Sequence, residues 1–200
     1  MKVLGIVCSP RKNGNTAVLV KEVLDSARSY GAETEIIRVT DFDITPCDGC
    51  ESCTTTGKCR IEDDMPKIFA KLLEADGIVI GTPVYFWNVT AQAKALIDRT
   101  FAFRRERRLA NKVAGAVIVA RDTGASAAFS ALNDFFSLHR MLPARSISPR
   151  TVEELARERG GAAIAYADKR GEVRDNKKAM AEAQALGKMM VETMRALGKK

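Results

Sequence analysis

Short apolar runs alternate along the chain with longer segments in which apolar residues recur every three or four positions. The short runs have the length and the Val and Ile content of buried strands, and the longer segments have the period of amphipathic helices. Strands are predicted at 2–7, 33–39, 77–81 and 113–119, with a fifth at 162–167 or around Ile147. Helices are predicted at 16–30, 64–74, 90–100, 126–141 and 175–197, and a short one at 151–159.

This alternation predicts the fold class. Strands that alternate with helices form right-handed βαβ units, which build a parallel sheet with helices on both faces. About five strands predict an α/β, flavodoxin-like, doubly wound fold with five parallel strands in the order 2-1-3-4-5. Ligands of such folds bind beyond the carboxyl ends of the strands. Candidate chemistry is therefore expected in the loops at 9–16, 82–88 and 121–124.

The first of these loops joins a buried strand to the start of a helix. A helix start offers unpaired backbone N–H groups and the positive end of the helix dipole, both of which favour an anion. The loop contains neither a Walker motif nor Gly-x-Gly-x-x-Gly, and its polar side chains suit a phosphate monoester. The alternative is a capping turn with an exposed basic pair. The side chains that would donate hydrogen bonds are Ser9, Arg11, Asn13, Asn15 and Thr16.

The second constellation is a cysteine cluster. Four of the five cysteines follow the spacing C-x2-C-x2-C-x5-C, and they are Cys47, Cys50, Cys53 and Cys59. This spacing resembles the ferredoxin-type run that holds a [4Fe–4S] cluster. Zinc is the main alternative, disulfides are a weaker one in a reducing compartment, and four structural thiols are the weakest. The fifth cysteine, Cys8, ends the first strand and is interpreted as a packing residue.

The third motif is an aromatic loop that follows the third strand. It contains Tyr85, Phe86 and Trp87 side by side. Backbone amides of such a loop can bind the polar edge of a flat heterocycle while the aromatic rings cover its faces. An aromatic patch at a subunit interface is the alternative, and the two are compatible.

Together these motifs resemble the iron–sulfur flavoproteins, a branch of the flavodoxin-like NAD(P)H-dependent FMN reductases. The resemblance rests on the loop at 9–16, the four cysteines, the segment 59–65 and the segment 83–99, and it covers about the first 125 residues well. It implies two cofactors, FMN and a [4Fe–4S] cluster. Relatives tend to be Gly-rich in the third loop, where this chain has Ala120-Arg121-Asp122, and the stretch 143–171 departs from the family pattern.

The resemblance also implies which residues bind each cofactor. The FMN phosphate is expected at the five side chains of the first loop named above. Cluster ligation is expected from the four clustered cysteines. Contacts to the isoalloxazine ring are expected from Pro83, Val84, Tyr85, Phe86 and Asn88.

The resulting functional expectation is an electron-transfer oxidoreductase. A ferredoxin-type protein or NAD(P)H would donate electrons, and a quinone, oxygen or peroxide would accept them. The family resemblance implies a homodimer or homotetramer in which the cluster of one subunit lies near the flavin of another. One alternative is an NAD(P)H-dependent FMN or quinone reductase with zinc or free thiols at the cysteines. Another is a non-enzymatic redox sensor.

Composition and charge narrow the remaining classes. The 200 residues are 46% hydrophobic and 28% charged, which excludes a disordered chain and predicts a single domain over 1–200. The resemblance implies that this flavodoxin-like domain binds FMN and that its cysteine-rich loop, at about 43–62, binds the cluster. The start lacks a signal-peptide pattern and no apolar run approaches about 20 residues, so we expect a cytoplasmic protein without a membrane span.

The net charge of +7 draws attention to a basic run at 104–108. A solvated helix end and a docking patch for an acidic ferredoxin are the two interpretations. No motif predicts nucleic-acid binding. The single histidine, His139, lies on a predicted helix among apolar residues and is expected to be a satisfied structural side chain.

Overall fold

A parallel β-sheet forms the centre of the computed structural model, which describes residues 1–145 and 161–199. The first four strands pair in the order β2-β1-β3-β4, and every pairing is parallel. The predicted order 2-1-3-4-5 is confirmed. The strands are β1 (Lys2–Val7), β2 (Glu33–Arg38), β3 (Gly77–Pro83), β4 (Val113–Ala120), β5 (Leu142–Pro143) and β6 (Ala162–Tyr166).

Two segments share the fifth position of the sheet. β5 pairs with the first two residues of β4, and β6 pairs in register with Ala116 to Ala120. Of the two predicted locations for the fifth strand, 162–167 is confirmed by β6. Ile147 and the predicted helix at 151–159 lie outside the described residues. The carboxyl end of β6 therefore lies at the same edge of the sheet as the carboxyl ends of β1, β3 and β4.

Helices cover both faces of the sheet. The short helix α2 was not predicted, because its five residues carry no apolar period, and it lies between left-handed residues at Glu51 (φ 59°) and Gly57 (φ 69°). None of the helices in the two described ranges is long and apolar enough to cross a bilayer. The helices are α1 (Asn15–Ser29), α2 (Ser52–Thr56), α3 (Met65–Glu74), α4 (Ala91–Arg99), α5 (Ala125–Leu138) and α6 (Lys177–Ala196).

The alternation of side chains along the strands produces two buried layers. Val3 and Val7 of β1 face α1 and α6, whereas Leu4 and Ile6 face α3, α4 and α5. A strand buried on both faces is a continuous apolar run, which explains why the pattern located β1, β3 and β4 closely. The rigid sheet fixes the loops at its carboxyl edge, where the candidate chemistry lies.

Candidate cofactor sites

A cleft of about 80 Å³ lies at the carboxyl ends of β1, β3, β4 and β6. It brings together the three loops singled out in the sequence, 9–16, 82–88 and 121–124, the last through Arg121. Of the predicted flavin-binding residues, Asn13, Phe86 and Asn88 do not line it. Those that do are Ser9, Arg11, Asn15, Thr16, Pro83, Val84 and Tyr85.

The phosphate end of this cleft is the start of α1. Within the described ranges no side chain caps this helix, and its first turn carries no acidic residue. The backbone N–H of Arg11 donates to Ser9 Oγ at 3.2 Å, which shapes the loop, and Asn13 is exposed in a left-handed conformation (φ 54°). An uncapped helix start beside an exposed arginine fits a phosphate group.

The side chain of Asn15 was predicted to donate to a phosphate, but it forms hydrogen bonds to the backbone of the turn after β6. Its Nδ2 donates to the carbonyl of Lys169 at 2.9 Å, and its Oδ1 accepts from the N–H of Val173 at 3.4 Å. The side chain is only 7% exposed. Asn15 therefore fastens the turn after β6 to the phosphate loop, and the group it can offer to an anion is its backbone N–H.

The turn after β6 contributes residues that were not predicted. Arg11 Nη1 donates to the carbonyl of Asp168 at 3.3 Å, and Arg170 Nη2 donates to the carbonyl of Lys12. Arg121 and Asp168 both line the cleft, with Arg121 Nε 3.6 Å from Asp168 Oδ2. The sequence could have indicated these residues through the position of the fifth strand. Once 162–167 is placed beside β4, the residues after it must reach this edge of the sheet.

The aromatic loop forms a tight turn. Tyr85 and Asn88 exchange two backbone hydrogen bonds of 3.0 and 3.1 Å, and the two residues between them have left-handed φ angles. Phe86 projects fully into solvent, and Trp87 is 67% exposed. Exposed aromatic residues at a ligand-facing edge indicate a surface that a ligand or a partner covers.

The third loop supports the aromatic loop through Gly124. This residue has φ 82°, and a Cβ placed on it would lie 2.9 Å from both Trp87 Cα and Val84 Cγ1. Only glycine fits that conformation and that approach. The loop that departs from the Gly-rich family pattern thus keeps one glycine where packing requires it.

A second, larger cavity of about 700 Å³ contains the cysteines. Cys47, Cys50, Cys53 and Cys59 all line it, together with apolar side chains of α4 and α5. Within residues 1–145 and 161–199, no three Cys, His, Asp or Glu side chains converge as they would around a single metal ion. In a [4Fe–4S] site each of the four thiolates binds a different iron, so its ligands are arranged around a cluster and not around one ion. The shared cavity fits that donor set.

The electrostatics of this cavity favour thiolates at one end. Hydrogen bonds from Ser52, together with one from Arg60, lower the pKa of Cys50. Burial raises the pKa of Cys53. The thiolate is the form that binds a metal, so positive neighbours assist ligation. Cys8 is fully buried, and burial raises its pKa to about 12, which confirms its interpretation as a packing residue.

His139 lines the same cavity, but its side chain already contacts other protein residues. Its Nε2 lies 3.0 Å from Thr100 Oγ1, and its ring packs edge-on against Phe135 at 4.9 Å. Burial, assisted by the charge of Arg104, lowers the pKa of His139. The expectation of a structural histidine is confirmed for Nε2, while Nδ1 has no partner in the described part of the chain.

Helix α4 connects the two cavities. At its start, Thr90 Oγ1 donates to the carbonyl of Cys8 at 2.7 Å, and Thr90 N–H donates to Thr82 Oγ1 at 3.2 Å. At its end, Arg99 lines the cysteine cavity. Nine residues of α-helix span about 13 Å. This short rigid element is therefore tied at its start to the neighbours of the cleft-lining Ser9 and Pro83, and its later residues line the cysteine cavity.

Comparisons with known proteins identify the family of the chain. The sequence model of the family described as NADPH-dependent FMN reductase matches residues 1–153. An iron–sulfur flavoprotein of Methanocaldococcus jannaschii is 38% identical over 201 residues, covering 100% of both chains. An iron–sulfur flavoprotein of Archaeoglobus fulgidus is 41% identical over 146 residues, covering 72% of each chain.

Solved structures give the same fold. RosB with bound 8-demethyl-8-formylriboflavin-5′-phosphate superposes with a TM-score of 0.75 and 21% identity, over 99% of this chain and 80% of that one. A WrbA-like flavodoxin of Agrobacterium tumefaciens superposes with a TM-score of 0.65 and 16% identity, over 98% of each chain. The sequence matches place the chain in the NADPH-dependent FMN reductase family, among its iron–sulfur flavoproteins.

Proposed function

We propose that this flavin-dependent oxidoreductase holds FMN in the cleft at the sheet edge and a [4Fe–4S] cluster in the cysteine cavity. The observation that carries the proposal is the presence of two cavities, one beside an uncapped helix start and one lined by four thiols. When bound, the cluster supplies one-electron chemistry and FMN supplies one- or two-electron chemistry.

In this proposal the first helix holds the FMN phosphate. Its N–H groups and the Arg11 guanidinium offset the phosphate charge, and the turn after β6 keeps the loop in place. The isoalloxazine ring binds against Pro83, Val84, Tyr85, Phe86 and Asn88. The phosphate contacts come from Ser9, Arg11, Asn13, Asn15 and Thr16.

The cysteine cavity gives the cluster a largely apolar environment with nearby positive charge. Cys47, Cys50, Cys53 and Cys59 supply the thiolate ligands. Arg60 at the rim offsets part of their negative charge. Because thiolate ligands persist in a reducing compartment, we assign the protein to the cytoplasm.

The electron donor in this proposal is an acidic protein of the ferredoxin type, with NAD(P)H as the alternative. Beside Cys53 the surface forms an arginine groove, lined by Arg104, Arg105, Arg107 and Arg140. Arg105 Nη1 donates to the carbonyl of Thr54 at 2.6 Å, which ties the groove to the cysteine loop. A positive surface next to a cluster ligand steers an acidic donor to that ligand.

The acceptor is a small oxidant such as a quinone, oxygen or peroxide. The exposed rings of Phe86 and Trp87 are proposed to be covered in a homodimer or homotetramer, in which the cluster of one subunit approaches the flavin of another.

The decisive experiment is anaerobic purification with assays for iron, acid-labile sulfide, zinc and flavin. We expect about four irons and four sulfides per chain, with FMN. Cys53→Ala should lose the cluster and keep FMN, whereas the control Cys8→Ala should keep both. Zinc without sulfide would contradict the cluster and favour an NAD(P)H-dependent FMN or quinone reductase. Failure to turn over with any reduced donor and acceptor would favour a redox sensor.

A further inference from the structure

A buried ion pair lies beneath the cysteine cavity. Arg99 at the end of α4 and Asp63 beyond the cysteine loop (residues 47–59) have side chains that are 0% and 1% exposed. The contact is bidentate: Arg99 Nη1 donates to Asp63 Oδ2, and Nη2 donates to Oδ1 at 3.0 Å. Burying two charges is costly, and an apolar pair would often serve stability as well. The pair therefore calls for a reason beyond stability.

The ion pair fastens both ends of the cysteine loop. Arg99 Nη1 also donates to the carbonyl of Thr45 at 2.7 Å, and Asp63 Oδ2 accepts from the N–H of Thr45 at 3.0 Å. Asp63 Oδ1 accepts from the N–H of Met65 at 2.9 Å. Residues just before Cys47 and just after Cys59 are thus held at one point, the end of α4.

Arg99 also faces the cysteines. It lines the same cavity as Cys59, and its Nε is a buried donor without a partner in the described ranges. Arginine is always charged in proteins, so this buried guanidinium is a fixed cation. A fixed cation with a spare donor can make a charge-assisted contact to a thiolate ligand in this cavity.

We infer that Arg99 is a positioning residue that closes the cysteine loop around the cluster and, through its charge beside Cys59, raises the potential at which the cluster accepts an electron. The inference rests on the proposed function. Reduction adds one negative charge to the cluster, and a nearby cation stabilises the reduced form more than the oxidised form. Asp63, of opposite charge, opposes this effect from behind the guanidinium.

The test measures the cluster reduction potential by EPR-monitored redox titration of the full-length, reconstituted protein. Arg99→Gln should shift the reduction equilibrium toward the oxidised form by about tenfold, which is about 59 mV for one electron. Asp63→Asn should shift it the opposite way. Both variants should lose iron to a chelator faster than wild type. A purely structural role would not give opposite signs.

Two further variants keep the test decisive. Arg38→Gln is the matched control, because Arg38 also has a buried Nε without a partner in the described residues but lies on β2 and does not line the cysteine cavity. The cluster potential of this variant should equal that of wild type. Arg99→Lys keeps the charge without the two-pronged contact. Its cluster reduction potential should stay close to that of wild type, while it should lose iron to a chelator faster than wild type.

The outcomes separate this inference from the proposed function. A wild-type protein without iron and sulfide would overturn both. A wild-type protein with a cluster whose potential is unchanged in Arg99→Gln would overturn the inference alone. If Arg99→Gln does not fold, Arg99→Lys decides the question. A cluster potential in Arg99→Lys that is lower than wild type by the tenfold shift expected for Arg99→Gln would overturn the role of charge.

Discussion

The side-chain amide of Asn15 donates a hydrogen bond to the carbonyl of Lys169, although 154 positions separate the two residues in the chain. This bond joins the loop after the first strand to the turn after the last. The phosphate end of the cleft is therefore assembled from both ends of the sequence. Its shape depends on the position of β6 as well as on the loop that carries the recognisable motif.

Asn15→Ala removes that connection. It leaves the Lys169 carbonyl and the buried N–H of Val173 without their partner, which should cost about 1–3 kcal/mol of unfolding free energy. FMN affinity should fall as well, because the loop is released. Urea unfolding and flavin titration measure the two effects. Gln184→Ala is the control, since its amide bonds to Glu22 at the exposed surface; equal losses in both variants would contradict the prediction.

Arg11→Ala should weaken FMN binding by about tenfold, because a hydrogen bond to a charged phosphate contributes about 1.5 kcal/mol or more. Lys12→Ala removes the same charge from the neighbouring residue, which does not line the cleft, and should change affinity by about twofold or less. Fluorescence titrations with FMN and with riboflavin distinguish the mechanism. Riboflavin has no phosphate, so an equal loss of riboflavin affinity in Arg11→Ala would count against a phosphate contact.

Gly124→Ala should disturb the aromatic loop. The left-handed conformation costs a non-glycine residue about 1–2 kcal/mol, and the new Cβ would press on Trp87 and Val84. Trp87 is the sole tryptophan, so its emission reports the displacement directly. Gly198→Ala shares a left-handed φ of 72° but has no atom within 4 Å, and it should leave the emission unchanged. An unaltered spectrum in Gly124→Ala would refute the predicted contact.

Reversing Arg104 and Arg107 to Glu should lower the on-rate of a reduced ferredoxin-type donor by about tenfold or more at low salt, and flatten its salt dependence. Both residues line the arginine groove beside Cys53. Stopped-flow reduction of the cluster measures the rate. The matched control reverses Lys177 and Lys178, exposed residues at the start of α6, and changes the net charge equally. If the two double variants lower the on-rate equally, net charge and not the arginine groove is the cause.

Glu35→Gln should change the pH dependence of stability. Hydrogen bonds from Lys71 and Lys2 lower the pKa of Glu35 below its ordinary value of 4.5. The carboxylate therefore stabilises the fold above about pH 4.5, and this stabilisation is lost as the pH falls through the lowered folded-state pKa. The variant should be about 1 kcal/mol less stable at pH 7 and equal to wild type in strong acid.

Urea unfolding across pH measures this difference. Glu33→Gln is an exposed change on the same strand, and its free energy of unfolding should follow the wild-type pH dependence. A stability gap in Glu35→Gln that stays constant down to pH 3 would exclude the ionised carboxylate as its source.

The sequence predicted β1 to β4 within two residues, and for β1, β3 and β4 the reason is that strands buried on both faces are continuous apolar runs. It also predicted that the loops at 9–16 and 82–88 meet, because parallel strands end at one edge. It did not predict Asp168 at the cleft, since that required choosing between two positions for the fifth strand. Nor did it predict the pairing of Arg99 with Asp63, since a helical pattern assigns charged residues to the surface and the two lie 36 positions apart.

Helix α4 is anchored at both ends, by Thr90 to the carbonyl of Cys8 and by Arg99 to Asp63. An α-helix turns about 100° per residue, so inserting or deleting a single residue would swing Arg99 to another side of the axis while Thr90 stayed in place. The nine-residue length of α4 is therefore a phase requirement as much as a distance. Substitutions at its exposed positions, Ala91 and Lys94, keep both anchors, whereas a change of one in its length would release Arg99 from Asp63.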